Sequence, residues 1–196
     1  MIMNNIPIII AEDSPFLTTE TRQTRWAIPY SFECLNARID HLLTRNRNCI
    51  TGKRILDIGS HIGTFAYSAL ELGGEFVQGI DTEEKTVERG QELFRQTKVP
   101  ESRYDFKVAD AFDYLESLEE GSFDTVLCLG TLYYMVEPYR LLKLMQKVAK
   151  EAILLDTFTA AYAAIQGKDA PQVYQSINEE SLKLPMMLTA LTQPEK

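Results

Sequence analysis

Residues 55–63 read ILDIGSHIG, and this stretch decides the fold. An apolar run typical of a buried strand enters a turn with two glycines, and an amphipathic, helix-type segment follows at once. In open α/β sheets, ligands bind beyond the carboxyl ends of the strands, where glycine lets the backbone approach them closely. The stretch therefore predicts a strand, a ligand-binding turn and a helix.

Strand-type and helix-type segments continue to alternate up to Phe158. The strand-type runs are RILDIG at 54–59, FVQGID at 76–81, YDFKVAD at 104–110, FDTVLCLG at 123–130 and AILLDTF at 152–158. The alternation is typical of a mainly parallel sheet with helices on both faces, and near-continuous apolar runs are typical of strands buried on both faces. No convincing strand follows Phe158. The sequence therefore predicts an α/β core that ends in irregular or helical chain.

Composition narrows the class of protein. With 196 residues, of which 45% are hydrophobic, the chain fits one globular domain. A formal charge of −8 makes nucleic acid an unlikely partner. Three cysteines without a CxxC pair predict neither a disulfide framework nor a metal site. The apolar start at 6–10 lacks a basic flank and is short, so we expect a cytoplasmic protein without a membrane span.

Three acidic residues stand at or near the ends of the first three predicted strands: Asp57, Asp81 and Asp110. The first turn reads DxGxxxG, not the GxGxxG of dinucleotide-binding proteins, and a carboxylate there suits a cationic ligand better than a pyrophosphate. S-adenosylmethionine carries such charges, and its carboxylate can use backbone N–H groups near the helix start. Asp81 can accept both ribose hydroxyls, and Asp110 can accept the adenine amino group beside an apolar wall formed by Phe112.

The segments ILDIGSHIG, GID, VADAF and FDTVLCLGTLYYM resemble, in order and spacing, the motifs of class I S-adenosylmethionine-dependent methyltransferases. The resemblance covers roughly residues 50–158. It implies a Rossmann-like sheet in the order 3-2-1-4-5, with the usual C-terminal hairpin reduced or absent, and S-adenosylmethionine as cofactor. It also implies that the methionine end, the ribose and the adenine each meet one of the acidic segments. The predicted cofactor-binding residues are Asp57, Gly59, Ser60, His61, Gly63, Asp81, Thr82, Asp110, Ala111, Phe112 and Leu129.

Three residues are candidates for proton transfer during the reaction. His61 stands where the family pattern DxGxGxG has its middle glycine, which is tolerable if the residue keeps a negative φ. Its ordinary pKa suits a general base, although a residue that only fills the turn is the simpler reading. Tyr133 and Tyr134 follow the fourth strand, so we expect one to face the ligand and the other the core.

The chain divides into three predicted segments. Residues 1–48 form an N-terminal arm and a helix near the cofactor mouth, 49–158 form the cofactor-binding core, and 159–196 form an irregular or helical C-terminal segment of the same domain. Part of this arm could form a lid that binds an anionic substrate, or it could be a solvated, partly ordered stretch. The residues concerned are Arg22, Arg25, Trp26 and Tyr30.

The predicted function is methyl transfer to an oxygen or nitrogen of a small molecule. One alternative is a non-catalytic, methyltransferase-like scaffold, because a missing hairpin would leave a sheet edge that invites a partner chain or a homodimer. A second is tRNA modification, since residues 130–157 resemble a region of the tRNA wobble-uridine modifying methyltransferases, with Tyr134 in place of a histidine. An NAD-binding oxidoreductase lacks its glycine spacing and ranks last.

Overall fold

The computed structural model describes residues 7–17 and 31–157. In these residues it has five strands: β1 Arg54–Ile58, β2 Phe76–Asp81, β3 Tyr104–Val108, β4 Phe123–Leu129 and β5 Ala149–Asp156. The strands form one sheet in the order β3-β2-β1-β4-β5, and every neighbouring pair is parallel. The predicted Rossmann-like α/β fold and its strand order are therefore confirmed.

In the described ranges five α-helices precede, connect or cover these strands: α1 Phe32–Ile39, α2 Thr64–Glu71, α3 Glu84–Arg95, α4 Ala111–Ser117 and α5 Pro138–Val148. A π-helical turn, Asp40–Thr44, extends α1, and a 3-10 turn, Leu132–Tyr134, links β4 to α5. Pro138 lies in the first turn of α5, where its missing N–H costs nothing and its fixed φ suits a helix. None of the described helices is long and apolar enough to cross a membrane.

The sheet is buried on both faces, as the apolar runs predicted. Neighbouring residues of β1 divide between two cores: Ile55 packs with Leu35 of α1 and Phe65 of α2, whereas Leu56 packs with Leu115 of α4 and Met145 of α5. Because successive side chains of a strand point to opposite faces, a continuous apolar run supplies both cores at once. The rigid sheet then presents the ends of its strands along one edge.

The described part of the N-terminal arm packs on the α1 face. Ile10 and Phe16 are fully buried, and the Phe16 ring stacks on Tyr67 at 4.8 Å between centroids. The Asn36 side chain accepts hydrogen bonds from the backbone N–H groups of Ile9 and Ile10, at 2.9 and 3.1 Å, and donates to the Ile10 carbonyl. This arm is therefore fixed to the core by both apolar contacts and backbone hydrogen bonds.

Some predictions fall outside the described residues. These are the lid residues Arg22, Arg25, Trp26 and Tyr30, and the C-terminal segment 159–196. The division of the chain into 1–48, 49–158 and 159–196 stays a prediction.

Candidate active site

A cavity of about 350 Å³ lies beyond the carboxyl ends of the strands. This volume falls within the range of about 300–1,000 Å³ that is common for ligand sites. Nine of the residues singled out from the sequence line it: Gly59, His61, Asp81, Thr82, Asp110, Ala111, Leu129, Tyr133 and Tyr134. The other four, Asp57, Ser60, Gly63 and Phe112, do not line it. The motifs therefore converge on one cavity, although the binding role of each residue stays a prediction.

The turn between β1 and α2 needs its glycines for both conformation and space. Gly59 and Gly63 have φ values of 68° and 81°, in the left-handed region that favours glycine. A Cβ atom at Gly59 would collide with the Thr131 side chain, and one at Gly63 would collide with the rings of Phe94 and Phe106. The turn thus lies tightly between the end of β4 and the core.

His61 departs from the expected backbone conformation. It has a φ of 51° and is the one non-glycine residue with positive φ among residues 7–17 and 31–157, so the expected negative φ is wrong. Histidine enters the left-handed region more readily than bulky or branched residues. The His61 N–H donates to Asp81 Oδ2 at 2.9 Å, which fixes the peptide in this conformation. Position 61 therefore has the backbone conformation of a glycine but carries an imidazole side chain.

Asp81 connects two loops at the end of β2. Besides the bond from His61, its Oδ1 accepts the Glu83 N–H at 3.1 Å. Helix α3 begins at Glu84 with Glu83 as the N-cap residue, so Asp81 stands just before that cap. Each carboxylate oxygen can accept more than one hydrogen bond, so Asp81 can hold both loops and still accept from a ligand hydroxyl.

Asp110 combines a structural position with a place in the cavity lining. Its Oδ1 accepts from the backbone N–H groups of Phe112 and Asp113, at 2.8 and 3.2 Å, which caps α4. Phe112, predicted as an apolar wall, lies outside the lining, and the guanidinium of Arg140 stands 4.9 Å from its ring centre. Ala111 and Ile80 supply apolar surface instead.

Asp57 lies behind the glycine turn as a buried carboxyl group. Its side chain is almost fully buried, and Oδ2 has no hydrogen-bond partner. Burial, and secondly the carboxylate of Asp81, raise the pKa of Asp57 to about 7. A positive charge bound in front of the turn would therefore favour the ionised form of Asp57.

The backbone N–H groups of this turn are engaged within the protein. Those of Gly59 and Ser60 both donate to the Ile80 carbonyl at 2.9 Å, and that of Gly63 donates to the Ser60 carbonyl at 2.8 Å. The expectation that a ligand carboxylate uses N–H groups near the helix start therefore does not fit these three. A cationic side chain at the cavity would be a further candidate for such a contact.

Arg38 is such a group, and sequence reasoning missed it. It lines the cavity from α1, its Nη2 donates to Asp156 Oδ2 at 2.7 Å, and its guanidinium stands 5.0 Å from the centre of the Phe65 ring. Asp156 is the last residue of β5, as Asp81 is of β2. Because the carboxyl ends of parallel strands lie along one edge, sequence reasoning could have found Asp156. Arg38 carries no comparable signal in its local sequence.

Tyr133 and Tyr134 both line the cavity, so the expectation that one would face the core is wrong. The expected alternation holds for strands, but these residues lie in the 3-10 turn, where Leu132 is the one buried in the core. The two rings stand 4.6 Å apart between centroids. Burial, and secondly the neighbouring Tyr134, raise the pKa of Tyr133, which therefore stays protonated at neutral pH.

The pKa shifts of His61 and Cys128 have different consequences for their reactivity. Loss of solvent lowers the pKa of His61, against the opposing effect of the Asp81 and Glu83 carboxylates, so its imidazole is mostly neutral at pH 7. Burial, and secondly the charge of Asp57, raise the pKa of the Cys128 thiol to about 12. His61 can therefore accept a proton at neutral pH, whereas Cys128 is an inert core thiol.

Comparisons with known proteins agree with this architecture. A family model described as a methyltransferase domain matches residues 51–184. A ubiquinone biosynthesis O-methyltransferase of Neisseria meningitidis is 30% identical over 102 residues, which are 52% of this chain and 41% of that protein. A Methanocaldococcus jannaschii protein, provisionally named as a ribosomal RNA large subunit methyltransferase, is 35% identical over 78 residues, which are 39% and 20% of the two chains.

The solved structure of the cyclase SpnF has a TM-score of 0.54 and 23% identity, and the match covers 61% of this chain and 43% of that one. At this identity the likeness shows the fold alone. The chain spans about two fifths of the length of the curated O-methyltransferase it matches. The family model, in contrast, covers more than half of the chain. The chain therefore belongs to the methyltransferase domain family, in the class of Rossmann-like proteins whose cofactor is S-adenosylmethionine.

Proposed function

We propose that the protein transfers the methyl group of S-adenosylmethionine to an oxygen or nitrogen atom of a small molecule. The observation that carries this proposal is the division of the cavity into two ends. The β1–β3 end is lined by Gly59, His61, Asp81, Thr82, Asp110 and Ala111, and the β4–β5 end by Arg38, Thr131, Tyr133, Tyr134 and Met135. Carboxylates dominate the first end, and a guanidinium and two phenols the second.

The residues present suit the cofactor. At the β1–β3 end, Asp81 would accept from the ribose hydroxyls and Asp110 from the adenine amino group. Arg38, already held by Asp156, would bind the methionine carboxylate, since the N–H groups of Gly59, Ser60 and Gly63 are engaged within the protein. The buried Asp57 would favour the cationic sulfonium over neutral groups. When bound, the cofactor supplies both the electrophilic methyl group and its leaving group.

The protein's own contribution to the reaction is alignment, exclusion of water and removal of one proton. Tyr133 stays protonated at neutral pH and shares a hydrogen bond with Tyr134, so the two phenols would flank the acceptor as a pair. His61 is mostly neutral and would accept the proton that an oxygen or nitrogen nucleophile sheds. Because its pKa lies below the ordinary 6.5, activity should persist below that pH and fall only when the imidazole becomes protonated.

A nucleic-acid acceptor is the alternative that the ribosomal RNA relative and the tRNA-enzyme resemblance suggest. The formal charge of −8 and two carboxylates in the cavity lining oppose a phosphate backbone.

A non-catalytic scaffold would bind the cofactor without turnover. A different reaction on the same fold, as the cyclase name of SpnF illustrates, would also leave the methyl group in place.

Turnover measurements test the proposal directly. The purified protein is incubated with S-adenosylmethionine and, separately, with hydroxylated aromatics, small amines and total tRNA and ribosomal RNA. We expect S-adenosylhomocysteine to form with a small molecule, and the His61→Gln variant to lose the acidic limb of the pH profile while it still binds the cofactor. Cofactor binding without turnover on any small molecule, or turnover on RNA alone, would overturn the proposal.

A further inference from the structure

Thr131 lies at the centre of the sheet edge, just after β4 and beside the end of β1. After β1 the chain enters α2, which packs in one core, and after β4 it enters α5, which packs in the other. In doubly wound sheets, ligands bind in the crevice between two strands whose helices lie on opposite faces. Thr131 lines the cavity at this crevice.

The Thr131 hydroxyl is held against the end of β1. Its Oγ1 donates to the Ile58 carbonyl at 3.2 Å. The same oxygen stands over Gly59, where an added Cβ atom would collide with it. The backbone of Thr131 is fixed as well, since its carbonyl accepts from the Tyr134 N–H at 3.0 Å. Thr131 therefore connects the loop after β4 to the glycine turn in one defined geometry.

The direction of this hydrogen bond limits what Thr131 can offer a ligand. A hydroxyl group carries one proton and two lone pairs, whereas a carbonyl oxygen only accepts. The single hydroxyl proton of Thr131 is therefore directed to Ile58. Because the remaining lone pairs only accept, a ligand group that hydrogen-bonds to Thr131 Oγ1 has to bring its own N–H or O–H donor.

The position of Thr131 in the cavity narrows the choice of donor. In the order β3-β2-β1-β4-β5, it lies between the acidic ends of β2 and β3 and the Arg38–Asp156 pair at β5. With the adenosine at the acidic ends and the methionine carboxylate on Arg38, the sulfur and the α-ammonium group would lie between them. A sulfonium has no N–H group, whereas the ammonium has three and shares a carbon atom with the carboxylate.

We propose that Thr131 Oγ1 accepts a hydrogen bond from the α-ammonium group of the cofactor. Thr131 and Arg38 together would then recognise both charges of its amino-acid part. This inference rests on the proposed function, because it needs the cofactor to lie with its adenosine at the β1–β3 end and its carboxylate at Arg38. Thr131 selects ligands that carry a protonated amine and takes no part in the transfer of the methyl group.

The test compares three ligands by calorimetric titration into the full chain: S-adenosylhomocysteine, its deamino counterpart with hydrogen in place of the α-amino group, and 5′-methylthioadenosine. Thr131→Val keeps the branched shape of the side chain and removes the oxygen. A hydrogen bond from a charged donor corresponds to about tenfold in affinity, so the variant should bind S-adenosylhomocysteine about tenfold more weakly. Its affinities for the other two ligands should stay unchanged, because neither carries the ammonium group.

Two further variants separate a ligand contact from a structural one. Thr131→Ser keeps the oxygen and loses only a methyl group, so it should retain the preference for S-adenosylhomocysteine over the deamino compound. Thr125→Val is the matched control, since the buried Thr125 Oγ1 donates to the Cys49 carbonyl at 2.6 Å, outside the cavity. It should bind all three ligands as wild type does, whatever stability to urea it loses.

Three results would overturn the inference. Equal weakening of all three ligands in Thr131→Val would assign the hydroxyl to the shape of the glycine turn alone. Unchanged affinity for S-adenosylhomocysteine in that variant, or loss of the preference in Thr131→Ser as well, would remove the contact with the oxygen. Failure of S-adenosylhomocysteine to bind the wild-type protein would instead contradict the proposed function, so the two failures are distinguishable.

Discussion

The two ends of the cavity are built in different ways. At the β1–β3 end the lining residues lie at the last positions of a strand or in the turn that follows it, and backbone N–H groups hold its carboxylates in place. At the β4–β5 end the key contact joins Arg38 to Asp156 across 118 positions of sequence. Local geometry therefore defines the first end, whereas the second exists only after the N-terminal helix has packed on the sheet. The first arrangement would suit the adenosine part that all such cofactors share, whereas the second would meet the methionine carboxylate at Arg38 and a variable acceptor at the tyrosines.

The largest expected effect concerns Asp57, behind the β1–β3 end. Burial raises its pKa from an ordinary 3.8 to about 7 in the folded protein, so the folded state keeps a proton that the unfolded chain has already lost. The contribution of the protonated Asp57 to the free energy of unfolding is therefore lost as pH rises from about 4 to about 7. Between pH 5 and pH 8 this loss amounts to about 3 kcal/mol.

The Asp57→Asn variant should lack this loss, since the amide does not ionise. We expect urea unfolding to show the free energy of unfolding of the variant rising relative to wild type as the pH increases from 5 to 8. The same pH dependence in both proteins would contradict the assignment of a buried, protonated carboxyl at this position.

Asp81 should show the next largest effect. In Asp81→Ala, the proposed ribose contacts and the bond that fixes the His61 peptide are lost together. Two hydrogen bonds to a charged acceptor correspond to about a hundredfold in affinity. Calorimetric titration with S-adenosylhomocysteine measures this loss.

The matched control is Asp105→Ala, which removes a carboxylate on β3 that pairs with Lys107 outside the cavity. It should bind S-adenosylhomocysteine as wild type does. Equal weakening in both variants would point to loss of fold rather than loss of a ligand contact.

The same contrast explains what could be predicted from sequence. The α/β fold class and most of the β1–β3 lining follow from periodicity and from acids at strand ends, because these signals are local. The strand order came from the resemblance to the class I methyltransferases, since pairing between distant strands leaves no local signal. The 3-10 turn at Tyr133 was missed since strand periodicity was extended past Leu129, where the strand ends. Arg38 could not be found, because an arginine on an amphipathic helix looks like any solvated surface residue until the helix is placed.

Arg38 gives a smaller effect with a chemically selective signature. If it binds the methionine carboxylate, Arg38→Met should weaken S-adenosylhomocysteine about tenfold and leave the affinity for 5′-methylthioadenosine, which lacks the amino-acid group, unchanged. Both ligands are titrated into both proteins under the same conditions. Arg45→Met, which breaks an ion pair with Asp40 outside the cavity, is the control. Equal weakening of the two ligands would assign Arg38 to the packing of α1 alone.

The smallest effect concerns the backbone of His61, at the β1–β3 end of the cavity. A side chain at a φ of 51° costs about 1 kcal/mol that glycine does not incur. His61→Gly should therefore be about 1 kcal/mol more stable to urea than His61→Ala, although glycine is normally the more destabilising choice in a folded chain. If His61→Gly also loses turnover but keeps its affinity for S-adenosylhomocysteine, the imidazole is retained for chemistry at the expense of an unfavourable backbone. Equal stability of the two variants would show that the left-handed conformation carries no strain, and the histidine would then need no functional explanation.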